Sequence, residues 1–203
     1  GYVVANPEVA FRVQRALPGM RAEVTGIPVM PAFSQAPSRH VAAAELGLDA
    51  PRPTALVMTG AAGMASGAAM VERLLTVEGD FQIVAIAGKS VELLERYQAL
   101  ARSDPRRLKP LGFTTTIERV MAASDLCITK PGGLSTSECL AIGLPMLLIS
   151  PIPGQEERNA QYLLEQGAAW LAMDELALAW RMQQLMAAPE ILSRLRGCAL
   201  TLG

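Results

Sequence analysis

The chain has 203 residues, of which 51% are hydrophobic and 18% charged. That apolar content excludes a disordered tail, which lacks the means to offset chain entropy, and three cysteines are too few for a disulfide scaffold. Lys plus Arg (18) nearly balance Asp plus Glu (19), so nothing indicates a nucleic-acid footprint.

Taken in chain order, residues 2–5 read as a short strand. Pro7 to Ala16 read as a helix, with Asn6 as cap and Pro at the first helical position. Residues 21–25 read as another strand. Gly26-Ile27-Pro28-Val29-Met30-Pro31-Ala32-Phe33 is extended, because each proline fixes φ and restricts its predecessor. Residues 26–37 are therefore expected to be a linker between a tail, 1–25, and a domain, 38–203. Ser38 is expected to cap a helix over 39–46 that stops at Gly47.

From Thr54 the rhythm changes. Thr54-Ala55-Leu56-Val57-Met58, Phe81 to Ala87, Arg107 to Phe113, Asp125 to Thr129, Pro145 to Ile149 and Ala168 to Ala172 read as strands. Several are apolar without alternation, as strands buried on both faces are. Helices are expected between them over 68–77, 90–101, 116–123, 135–142 and 158–166, with a last one over 174–186. Strands alternating with helices across short glycine-containing turns predict an α/β fold with a doubly wound, Rossmann-like parallel sheet. Such sheets bind ligands at the carboxyl ends of their strands, here the loops after Met58, Ala87, Phe113, Thr129 and Ile149.

No basic segment followed by an apolar core opens the chain, and no run approaches the ~18 apolar residues of a membrane span. The most apolar tract, 168–186, is broken by Asp174, Glu175 and Arg181. Cys127, Cys139 and Cys198 read as reduced thiols of a cytosolic protein.

The most informative stretch is Lys130-Pro131-Gly132-Gly133-Leu134-Ser135-Thr136-Ser137-Glu138. Gly132 and Gly133 let the backbone approach a ligand, and a helix start favours an anion. Ser135 and Thr136 add hydroxyl donors, which fits a pyrophosphate. Glu138, about one turn in, is placed to accept from a pair of ribose hydroxyls. Ser135-x-x-Glu138 also fits a capping box, with Glu138 bonding back to the backbone. The next loop, Ser150-Pro151-Ile152-Pro153-Gly154-Gln155-Glu156-Glu157-Arg158-Asn159, crowds polar groups suited to a hexose. Its alternative is an acidic first turn that complements the helix dipole.

These two motifs resemble the C-terminal, donor-binding half of family 28 glycosyltransferases of the GT-B fold, nearest the monogalactosyl- and glucosyl-diacylglycerol synthases. Val24-Thr25-Gly26-Ile27-Pro28-Val29 resembles their interdomain linker. Gly60-Ala61-Ala62-Gly63-Met64 stands where they carry a first glycine-rich loop, and Gly112-Phe113 where they recognise uracil. The resemblance implies that Phe113 and its backbone hold uracil, and that Gly133, Leu134 and Ser135 meet the phosphates with Thr136 close by. It implies Glu138 on the ribose, Gln155 and Glu156 on the sugar and Asn159 near it, with Gly60 and Gly63 part of the same site. Ala61 and Ala62 depart from the relatives' richer glycine pattern, and the loop is neither G-x-G-x-x-G nor a Walker A loop.

The implied reaction is inverting transfer of a hexose from UDP to a lipid such as diacylglycerol, at the inner face of a membrane. The alternatives are N-acetylglucosamine transfer to lipid I, or a non-catalytic UDP-sugar-binding subunit. No metal or cofactor is expected, because the lone His40 makes no zinc-type cluster and no Asp-x-Asp pair stands out. No catalytic residue is assigned on this chain. The resemblance places the base, and most of the membrane contact, in an N-terminal domain. Residues 1–25 are expected to belong to that domain and to have no sheet of their own to join. A self-contained sheet built from residues 2–5 and 21–25 would make that view wrong.

Overall fold

The computed structural model describes residues 1–59 and 64–203. At its start, Tyr2–Val4 (β1), Pro7–Ala16 (α1) and Ala22–Val24 (β2) form a βαβ unit. Asn6 caps α1 as expected, its Oδ1 accepting from the backbone N–H of Val9 at 3.0 Å. The expectation that this tail has no sheet is not met. β1 and β2 pair in parallel, Tyr2 opposite Ala22 and Val4 opposite Val24, because the α1 crossover returns the chain alongside its own first strand. Two strands are fewer than an independently stable sheet needs, and Tyr2, Val3 and Val24 stay exposed.

The stretch after Gly26 is extended only as far as Met30. Pro31–Ser34 (α2) forms a short helix with Pro31 in its first turn, where the missing N–H has no partner to lose. This turn seats Phe33 in the core. Arg39–Glu45 (α3) begins after Ser38, whose side chain makes no capping bond. Arg39 anchors the helix instead, donating to the carbonyl oxygens of Ala50 and Arg52 and to Asp125 Oδ2.

The remaining elements alternate. They are Thr54–Met58 (β3), Met64–Leu75 (α4), Gln82–Ile86 (β4), Val91–Ser103 (α5), Leu108–Leu111 (β5) and Ile117–Ala122 (α6). Then come Leu126–Thr129 (β6), Gly133–Ile142 (α7), Met146–Ile149 (β7), Gln155–Glu165 (α8), Ala169–Ala172 (β8), Glu175–Ala187 (α9) and Pro189–Leu202 (α10). The last helix lies beyond the elements expected from the sequence.

The six strands from β3 to β8 form one parallel sheet in the order β5-β4-β3-β6-β7-β8. Alternate residues feed opposite cores. Ala55, Val57, Leu126, Ile128, Leu147 and Ile149 meet α4, α5 and α9 on one face. Leu56, Cys127, Met146 and Leu148 meet α2, α6, α7, α8 and α10 on the other. Helices on both faces are why the strand sequences show no polar alternation. The chain winds outward from β3 to β5, then returns to lay β6 against the other side of β3. The crevice at the carboxyl ends of β3 and β6 is therefore the sheet's switch point, where open α/β sheets take ligands.

Candidate functional site

A cleft of about 880 Å³ opens at that switch point. Met58 ends β3 and Thr59 follows it, Thr129 ends β6 and Lys130 follows it, and Gly88, Lys89 and Ser90 lie beyond β4. Phe113 reaches in from the β5 end. Gly132 and Ser135 present the start of α7, and Ile152 and Glu156 close the β7 side.

Helix α7 begins earlier than its sequence indicates. Gly132 is the N-cap, in extended conformation, and Gly133 is the first helical residue. The Thr136 N–H makes the first helical bond, to Gly132 O, leaving the N–H groups of Gly133, Leu134 and Ser135 without partners inside the helix. With this start, Ser135 is too far into the helix to cap it. The capping-box alternative for Glu138 is not formed.

Thr136, expected as a hydroxyl donor close to the phosphates, does not line the cleft. Its hydroxyl donates back to Gly132 O at 2.9 Å and Gly133 O at 3.1 Å, and its buried side chain faces away from the cleft. A threonine inside a helix bonds to the preceding turn when no stronger acceptor is near. Thr136 lines a second cavity, of about 450 Å³, with Asn159, the Thr25–Ile27 stretch and the Leu202–Gly203 end. Asn159, expected near the sugar, is held against the loop before α7. Its Nδ2 donates to Pro131 O at 2.9 Å and clasps the loop before α7 to α8. Gly133 packs beneath the linker, where a Cβ would stand 3.3 Å from Ile27 Cδ1. Leu134 and Gln155 are exposed and do not line the cleft.

Glu138 follows Ser135 by one turn on the same helix face. It is half-buried, and among the described residues its carboxylate accepts no hydrogen bond. Loss of water pushes its pKa above the usual carboxylate value. Glu156 has a double position. Its Oε2 accepts from Ile152 N–H at 2.8 Å, holding the β7 loop, while the side chain lines the cleft. Glu157 Oε2 accepts from Gly154 N–H at 3.0 Å. That capping interaction moves the start of α8 forward to Gln155. The same loop starts at Ser150, the one non-glycine residue of positive φ among those described.

The sequence reading passed over the cleft's cations. Lys89 and Lys130 both line it, and among the described residues neither forms a salt bridge. Of the charged side chains that line the cleft two are lysines and one, Glu156, is a carboxylate, and the α7 N-terminus adds to the cationic side. The signal was a strand end running directly into Gly88-Lys89 and Thr129-Lys130. Gly60 and Gly63 lie outside the described residues. Among the described residues no group of three His, Cys, Asp or Glu side chains is gathered as for a metal ion.

The model of the glycosyltransferase family 28 C-terminal domain matches residues 54–187, from β3 to the end of α9. The chain belongs to this family. It is 35% identical over 172 residues to a processive diacylglycerol beta-glucosyltransferase of Staphylococcus epidermidis, covering 84% of this chain and 44% of that protein. A protein of the same description from Bacillus subtilis is 30% identical over 174 residues, covering 86% and 46%. The family 28 chain thus spans less than half the length of these relatives. Among solved structures, a UDP-glucosyltransferase from Polygonum tinctorium superimposes with a TM-score of 0.73 at 18% identity, covering 98% of this chain and 47% of that one. That likeness shows a shared fold, the C-terminal domain of a GT-B glycosyltransferase.

Proposed function

We propose that this chain supplies the UDP-hexose site of an inverting glycosyltransferase that transfers sugar to a lipid such as diacylglycerol. The observation that carries the reading is the single cleft shared by Phe113, the α7 start and Glu156, in a family 28 domain. The relatives' name, processive diacylglycerol beta-glucosyltransferase, supports the lipid acceptor.

The strand order supplies a ruler. Neighbouring strands are ~4.8 Å apart, so the β5 and β6 ends are separated by ~14 Å across β4 and β3. That span suits a nucleoside diphosphate laid along the cleft. Phe113 takes the base at the β5 end. The α7 N–H groups, Ser135 and Lys130 take the diphosphate at β6, and Glu156 faces the sugar at β7. Glu138 accepts from the ribose hydroxyls.

In the reaction, an acceptor hydroxyl attacks the anomeric carbon and the bond to UDP breaks. Negative charge grows on the departing diphosphate. The α7 dipole and the Lys130 ammonium stabilise it where it develops, in place before the reaction begins. The base that deprotonates the acceptor is assigned outside this chain, as the family resemblance implies; among the described residues the cleft's one lining carboxylate, Glu156, is given to the sugar. The acceptor lipid places the reaction at a membrane surface. No helix among the described residues is long and apolar enough to cross a membrane.

The test is calorimetric titration of the chain with UDP. Binding is expected, weakened at least tenfold by Glu138→Ala, or ~1.4 kcal/mol, as for a lost hydrogen bond to a charged group. Unchanged affinity in that variant removes Glu138 from the ribose. A panel of UDP-glucose, UDP-galactose and UDP-N-acetylglucosamine against diacylglycerol and lipid I, run on the full-length enzyme, identifies donor and acceptor.

A further inference from the structure

We infer that Lys89 is a base-selecting residue, donating from its ammonium to the C4 carbonyl oxygen of the uracil held beside Phe113. The inference rests on the nucleotide-site reading above and goes beyond it by naming what makes the base uracil.

Lys89 Nζ stands 5.3 Å from the centroid of the Phe113 ring, and both side chains line the cleft. The pair is held from below. Ala87 N–H donates to Leu111 O at 2.8 Å, tying the ends of β4 and β5 together. Gly88 then turns the chain at φ +59°, and the Ser90 side chain caps α5 by accepting from Leu93 N–H at 3.2 Å. Lys89 is thus fixed between a turn and a capped helix, one strand from Phe113.

Its place in the sheet separates it from the diphosphate. Lys130 and the α7 start stand at β6, two strands from β4 and ~10 Å away. Lys89 lies on the base side. A cation over an aromatic ring is attracted to the ring face, which keeps the ammonium at the base pocket. An ammonium has three donors and no acceptor. Uracil offers carbonyl oxygens at both exocyclic positions, whereas cytosine presents an amino donor at one of them. Opposite that amino group an ammonium finds no acceptor, so UDP is favoured over CDP.

The experiment titrates the unaltered chain, Lys89→Met and Lys89→Arg with UDP, CDP and inorganic pyrophosphate. Lys89→Met is expected to weaken UDP about tenfold, as for a lost charged hydrogen bond. It should leave pyrophosphate unchanged and bring UDP and CDP to similar affinity. Lys89→Arg keeps a donor and should restore most of the preference. Equal losses for UDP, CDP and pyrophosphate make Lys89 a phosphate contact and overturn the inference, as does an unchanged UDP affinity in Lys89→Met. Failure of the unaltered chain to bind UDP overturns the nucleotide-site reading and this inference with it.

Discussion

On the proposed reading, Glu138 serves binding at the expense of stability. Burial raises its folded pKa, so the folded chain holds this proton more tightly than the unfolded chain does. The stability it contributes is present at low pH and is lost as pH rises through the folded pKa. Glu138→Gln should therefore raise Tm at neutral pH, and the gain should vanish below the ordinary carboxylate range, where both states are protonated. Scanning calorimetry over pH checks this. A fall in UDP affinity on acidification should begin above the ordinary carboxylate range, because only the ionised group accepts from both hydroxyls. The sequence made Glu138 legible through its spacing from the glycines. It did not reveal that Thr136 turns its hydroxyl inward, because adjacent hydroxyls look equivalent until the first residue of the helix is known. Lys89 was illegible for a similar reason. A lysine after a strand reads as solvated surface until Phe113 is seen beside it.

Among elements, α7 and α10 show what local pattern leaves out. Gly143 ends α7 at φ +70°, and a Cβ there would clash with the Leu200 side chain of α10. Gly143→Ala should destabilise the chain by about 1–2 kcal/mol from the left-handed backbone alone, with more where Leu200 must move; urea denaturation measures it. Gly143 directly follows the helix expected over 135–142, but the close approach that also requires a glycine belongs to a helix not expected from the sequence. At the amino end of the sheet, Asp125 Oδ2 accepts from Thr54 N–H at 2.8 Å and from Arg39 at 2.6 Å. It joins β3, β6 and α3 on the side away from the cleft. Asp125→Ala should cost about 2 kcal/mol, as for lost hydrogen bonds to a charged group, while UDP affinity of the folded chain stays unchanged.

At the scale of the whole molecule, the proposed function separates donor binding from transfer. The cleft lies within this chain, whereas the base is assigned outside it. The 203 residues should bind UDP yet transfer no glucose to diacylglycerol vesicles, and turnover by them alone would overturn that division. Chelation tests the electrostatics. With Lys130 and the α7 start meeting the diphosphate, UDP affinity should be unchanged in excess EDTA, and a loss there would show that a divalent ion bridges the phosphates.

The sequence by itself determined the alternation of buried strands and helices, the family and the two loops that border the cleft. Those features are local, since apolar runs, glycines and prolines set backbone conformation within a few residues. Only the tertiary structure decided which side chains meet. Strand order brought Lys89 beside Phe113 and left Thr136 and Asn159 facing the second cavity. It also paired β1 with β2 where no sheet was expected. Each of these depends on where a crossover returns the chain, and that is settled by packing against residues far away in sequence.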